Sequence, residues 1–111
     1  MRLDPALVEP VCQGCLLRAT WPGPGTRSRL LFSNPASTQR ERLTVRVSYD
    51  EGDTWAASRT LYSGPSAYSC LAMLDESAAG CLFECGEKTP YEKIEFARFP
   101  LSWIEEGSAG N

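Results

Sequence analysis

The eight residues Ser48-Tyr49-Asp50-Glu51-Gly52-Asp53-Thr54-Trp55 constrain this chain more than any other stretch, because they write a strand end, a tight turn and a strand start in one run. Ahead of them Leu43, Val45 and Val47 alternate with Thr44, Arg46 and Ser48, the period-two pattern of a half-buried strand. A turn must follow. Asp50, Gly52 and Asp53 supply it, since glycine tolerates positive φ and aspartate bonds its own backbone to tighten a loop. Trp55 then opens the return strand with a large apolar face. An ordinary Asp-Gly hairpin meets some of these conditions, but five specified residue types at fixed spacing point to a dedicated motif.

The remaining chain carries turn signals at short intervals, which predicts an all-β architecture. Cys12 to Thr20 reads as a strand, Trp21-Pro22-Gly23-Pro24-Gly25 as a breaker, and Arg29 to Ser33 as a second strand ended by Asn34-Pro35. Arg42 to Ser48 and Trp55 to Tyr62 flank the octet, and Ser63-Gly64-Pro65-Ser66 breaks the pattern again. Tyr68 to Leu74, Gly80 to Cys85 and Tyr91 to Phe99 complete about seven strands. Leu101 to Glu105 reads as a helical turn, and residues 106–111 as a flexible tail.

At 111 residues the chain holds one domain at most, with enough apolar content for a core. The formal net charge is -3, and eleven Lys and Arg are scattered among fourteen acids, so there is no basic run of the kind a nucleic-acid footprint needs. No apolar stretch approaches a membrane span. Met1-Arg2-Leu3-Asp4-Pro5 is not followed by the apolar run of a signal peptide; this leaves the compartment of a longer parent open, secreted and periplasmic included. Seven short strands allow a sandwich or about two blades of a propeller. Two blades alone would leave blade faces uncovered, because a propeller closes with roughly four to eight.

The octet matches S-x-D-x-G-x-T-W, the Asp box that marks the outer hairpin of a blade in sialidase-type β-propellers; its structural residues here are Ser48, Asp50, Gly52, Thr54 and Trp55. From about Leu7 to Trp103 the chain also resembles the last third of exo-α-sialidases (neuraminidases). The resemblance rests on Pro10-Val11-Cys12-Gln13-Gly14, Phe32-Ser33-Asn34-Pro35-Ala36 with Arg40 and Leu43, and the Asp box. It continues through Gly64-Pro65-Ser66-Ala67-Tyr68-Ser69-Cys70-Leu71, Leu82-Phe83-Glu84 and Tyr91-Glu92-Lys93-Ile94. It implies that residues 1–105 are the C-terminal part of a six-bladed propeller that cleaves terminal sialic acids from glycans. It also implies that Arg40 is one of three arginines gripping the substrate carboxylate, that Tyr68 is the nucleophile, and that Glu84 orients another of those arginines. Neither cofactor nor metal is implied. The other two arginines, an acid/base aspartate and the glutamate partner of the tyrosine belong to the family upstream of this segment. The runner-up is a non-catalytic Asp-box propeller that binds a glycan or a protein.

Each candidate also has a plainer reading. Arg40 alone would be a solvated turn arginine, Tyr68 a strand tyrosine with its ring in the core, and Glu84 a carboxylate facing water between Phe83 and Cys85. Counting strands brings the three to one rim: the chain leaves Arg40, descends to the Asp box and climbs back to Tyr68, and a second descent returns it to Glu84. Five cysteines, Cys12-x-x-Cys15, Cys70 and Cys81-x-x-x-Cys85, raise a small zinc-stabilised module as a third reading. With no His, and with Cys12 and Cys15 directed to opposite faces of an extended segment, five buried free thiols are the better account. Cys15 and Cys70 depart from the family, which commonly has Ser and Asp at those positions.

Overall fold

The computed structural model describes residues 14–35 and 41–107. Six antiparallel strands lie in the order in which they occur along the chain: β1 (Cys15–Thr20), β2 (Arg29–Pro35), β3 (Glu41–Ser48), β4 (Ala57–Met73), β5 (Ala78–Cys85) and β6 (Lys93–Pro100). A short helix, α1 (Leu101–Glu105), follows. The all-β expectation holds, with six strands in place of seven.

The difference lies at Ser63-Gly64-Pro65-Ser66, where the structure has no break. The predicted strands on either side are one strand, β4, which changes partner at this point: Pro65 is the last residue opposite β3, facing Glu41, and Ser66 is the first opposite β5, facing Cys85. Pro65 lacks an N–H, so it suits a position where one ladder ends, and its carbonyl accepts the Gly86 N–H at 3.1 Å. β1, β2, β3 and the first half of β4 form one blade-like unit of four strands. The second half of β4 with β5 and β6 forms a unit of three.

Other boundaries shift by a few residues. β2 runs on through Asn34 and Pro35, because these pair with Thr44 and Leu43. The return strand starts at Ala57 and not at Trp55, after the Ala56 N–H has closed the hairpin onto the Val47 carbonyl at 2.9 Å. β5 starts at Ala78, where the Asp75 carboxylate holds the N–H groups of Ser77 and Ala78 at 2.8 and 2.9 Å. β6 starts at Lys93, since Tyr91 belongs to a turn in which the Glu92 carboxylate takes the N–H groups of Glu87, Lys88 and Thr89. Cys12 lies outside the described residues, as do all but Glu106 and Gly107 of the expected tail.

β3 is not half-buried as its alternation predicts. Leu43, Val45 and Val47 face the core, and Thr44, Arg46 and Ser48 on the opposite face are buried as well. Most of their polar atoms find partners, while Arg46 Nε has none among the described residues. Thr44 donates to the Arg42 carbonyl at 2.8 Å, Arg46 Nη1 reaches Asn34 Oδ1 at 3.1 Å, and Ser48 Oγ takes the Gly52 N–H at 2.8 Å.

The octet folds as its chemistry dictates. Ser48 Oγ donates to Asp50 Oδ1 at 2.8 Å, and Asp50 in turn accepts the Thr54 N–H at 2.8 Å and the Thr54 hydroxyl at 2.6 Å. Glu51 and Gly52 take φ of 61° and 90°, so the left-handed geometry expected of Gly52 extends to its neighbour. Glu51 tolerates it while its carboxylate is held by Arg18 and Ser28. Trp55 is 7 % exposed, and its ring packs 6.0 Å from that of Phe32. Beside the hairpin, Tyr49 and Arg29 both bond the Glu105 carboxylate, at 2.6 and 2.9 Å, and so dock α1 onto the four-stranded unit.

Two outcomes follow from the hairpin. Removing the buried indole by Trp55→Ala should lower stability by about 3 to 5 kcal/mol, seen as a fall in the chemical denaturation midpoint; an unchanged midpoint would mean that the ring does not contribute to packing. Hydrogen bonds from Thr54 and then Ser48 hold the Asp50 carboxyl down at about 2, and those from Arg18 and Ser28 hold Glu51 at about 2. Both are depressed relative to the unfolded chain, so their contribution is present above pH 4.5 and drains away as pH falls toward 2. Midpoints measured across that window should decline less in Asp50→Asn than in the parent, and parallel curves would refute this assignment.

Candidate active site

The register of β4 against β5 places the candidate residues. Ser66 faces Cys85 and Ser69 faces Phe83, so β4 carries one residue more than β5 over this interval. That extra residue is a β-bulge, which bends a strand and re-aims its side chains. Ala67 remains buried, while Tyr68 is turned outward and is 51 % exposed. The plain reading of Tyr68 as a core-facing strand tyrosine is therefore overturned.

Glu84 stands next to it. Its Oε1 accepts the Tyr68 N–H at 3.3 Å, and its side chain is partly exposed between buried Phe83 and Cys85. Among the described residues the Glu84 carboxylate bonds backbone and not an arginine. Tyr68, Glu84, Cys70, Leu82 and Ile94 open onto one groove of about 250 Å³, floored by Ser69 and Phe83. Tyr68 and Glu84 belong to the end of the sheet where Glu41 pairs with Pro65, while the Asp box leaves β3 at its other end after Ser48. The expected separation of rim and hairpin is met for these two. Arg40 lies outside the described residues.

Four residues of this region were not singled out as site residues. Ser69 and Ser33 share a 2.7 Å hydroxyl contact behind Tyr68, tying the inner strand of one unit to β2 of the other. Ile94 sits opposite Glu84 and forms the outer wall of the groove. The family commonly has a serine directly after the pair matching Gln13-Gly14, but this chain places Cys15 there, and its Sγ accepts the Leu71 N–H at 3.2 Å. The expectation of five buried thiols needs correcting: Cys81 and Cys85 are buried, Cys15 is half-buried, and Cys70 is exposed because it shares the outward face of β4 with Tyr68.

The same face carries Leu82, Ile94 and Phe96 at 49 %, 67 % and 56 % exposure. Phe96 lies across Gly80, where a Cβ would sit 2.5 Å from its ring. β6 is the terminal strand of the described sheet, blunted by the Lys93–Glu95 and Arg98–Asp75 ion pairs at 3.1 and 3.2 Å.

No protein-family model matches the sequence. It is 36 % identical over 106 residues to a sialidase of Micromonospora viridifaciens, an alignment covering 92 % of this chain and 16 % of that protein. It is 41 % identical over 86 residues to Sialidase-3 of Mus musculus, covering 73 % of this chain and 18 % of the relative. Among solved structures a Hadza microbial sialidase superposes with a TM-score of 0.71 at 36 % identity, over 88 % of this chain and 19 % of that one. The chain thus spans less than a fifth of the length of these relatives.

An apolar outward face of this extent predicts concentration-dependent self-association of the 111-residue chain. Sedimentation velocity should show the sedimentation coefficient rising with concentration, and Ile94→Lys together with Phe96→Lys should suppress the rise. A parent chain that stays monomeric at every concentration would contradict it.

Proposed function

Because this chain is a segment of the sialidase family, we propose that it supplies part of the active site of an exo-α-sialidase, which hydrolyses terminal sialic acids from glycoconjugates. In this reading residues 1–105 are the C-terminal part of the propeller domain. Tyr68 is the nucleophile, Arg40 holds the substrate carboxylate, and Glu84 orients a further arginine. The remaining blades of the longer protein supply that arginine, a third one, the acid/base aspartate and the base that activates Tyr68. The observation that carries the reading is the bulge that turns Tyr68 out of the core and sets it beside Glu84.

The chemistry suits these residue types. A sialoside bears a carboxylate on its anomeric carbon, and planar guanidinium groups hold such a group bidentately and fix its orientation. That carboxylate would repel an anionic nucleophile. A neutral phenol, deprotonated by a neighbouring base as it attacks, meets no such repulsion. Attack by the Tyr68 oxygen on the anomeric carbon, with protonation of the leaving glycan by the aspartate, gives a tyrosyl-enzyme intermediate. Water then attacks from the face the glycan left, so sialic acid is released with retained configuration. With most of these groups located elsewhere, the 111-residue chain by itself is inactive.

The test uses a full-length sialidase carrying this segment and an aryl sialoside as substrate. Tyr68→Phe keeps the ring and removes the attacking oxygen, so folding should survive while kcat falls about tenfold or more, a loss of ~1.4 kcal/mol or more of transition-state stabilisation. Arg40→Lys keeps the charge and loses the fork, and should act chiefly on KM. A Tyr68→Phe protein with the parent's kcat would eliminate Tyr68 as nucleophile. A full-length protein that binds sialosides without turnover would instead favour the non-catalytic propeller.

A further inference from the structure

We propose that Ser33 is a positioning residue for Tyr68 and acts through the hydroxyl of Ser69, a role that rests on the reading of Tyr68 as the nucleophile. β2 and β4 are not neighbours in the sheet order, yet the hydroxyl oxygens of Ser33 on β2 and Ser69 on β4 lie 2.7 Å apart. Ser69 directly follows Tyr68. Its Oγ also donates to the Ser33 carbonyl at 3.4 Å, so the Ser33 hydroxyl is free to act as donor in the shorter contact.

The bulge is the reason such an anchor matters. Between Ser66 and Ser69 the ladder to β5 is interrupted, so regular strand pairing does not fix the backbone at Tyr68. Contacts from both sides do so. Glu84 on β5 accepts the Tyr68 N–H at 3.3 Å, and Ser33 holds the next residue from β2. Cys15, directly opposite Ser33 on β1, repeats the grip two residues further along β4 by accepting the Leu71 N–H at 3.2 Å. Ser33 is fully buried and lies outside the groove lining, so it reaches a substrate only through a neighbour such as Ser69. A neutral hydrogen bond is modest, but a phenol displaced by under about 1 Å from its line of attack loses rate while the substrate still binds.

The experiment uses a full-length sialidase carrying this segment and an aryl sialoside, with Tyr68→Phe measured alongside. Ser33→Ala should lower kcat about three- to tenfold, as expected for one neutral hydrogen bond, and leave KM within about twofold. Ser69→Ala should do the same, and the double variant should lose no more than either single one, because both remove one contact. Ser69→Thr keeps the hydroxyl at a half-buried strand position and should retain the parent's kcat. The two Ser69 variants decide the matter if Ser33→Ala does not fold. A folded Ser33→Ala or Ser69→Ala protein with the parent's kcat, losses that multiply in the double variant, or an effect confined to KM overturns the positioning role, and leaves the nucleophile standing where Tyr68→Phe has lost turnover. A Tyr68→Phe protein as fast as the parent overturns the nucleophile itself, and the positioning role with it.

Discussion

The change of partner along β4 is the constraint on which the rest of the structure depends. One continuous strand closes the four-stranded unit through β3 and opens the next unit through β5, so neither sheet can shift without the other. The extra residue between Ser66 and Ser69 is the adjustment that lets one backbone serve two registers. The same adjustment turns Tyr68 outward. Fold and candidate site therefore share a single backbone feature, and the core clamps it from both directions: Ala67 is fully buried before Tyr68, and Leu71 is buried after it.

At the far end of the sheet the Asp box does a different job. Its aspartate directs both oxygens into the turn, onto Ser48 and Thr54, which makes the hairpin a structural cap. Glu105 extends this cap over distance, because Tyr49 and Arg29 both reach it from the four-stranded unit. Partial burial and the Glu105 contact push the Tyr49 phenol up to about 12, so it stays a neutral donor throughout the ordinary pH range. The two units are thus joined covalently through β4 and by hydrogen bonds through α1, beside the Ser33–Ser69 and Leu71–Cys15 contacts.

How much of this was legible in the sequence follows the range of each interaction. The Asp-box turn was readable because Ser48, Asp50, Gly52 and Thr54 act within seven residues on their own backbone. The Ser63-Gly64-Pro65-Ser66 stretch was misread as a turn because its composition is that of a breaker, whereas the ladders on both sides keep it extended. The buried polar face of β3 was missed for a related reason: Arg46 Nη1 reaches Asn34 on another strand, and no periodicity reveals such a partner. The α1 contacts to Tyr49 and Arg29 span 56 and 76 residues and leave no local signal. Tyr68 and Glu84 were found by motif, and strand counting carried them to one rim, but only the bulge fixes their hydrogen bond.

That hydrogen bond carries a mechanical consequence. A carboxylate has two oxygens and accepts several donors at once. In Glu84, Oε1 takes the Tyr68 backbone N–H, and the same side chain lines the groove. A glutamate used in this way is more than a counter-ion. In the proposed reading it joins the backbone that aims the Tyr68 ring to an arginine of the carboxylate clamp. The bulge sets the direction of the Tyr68 side chain through the backbone.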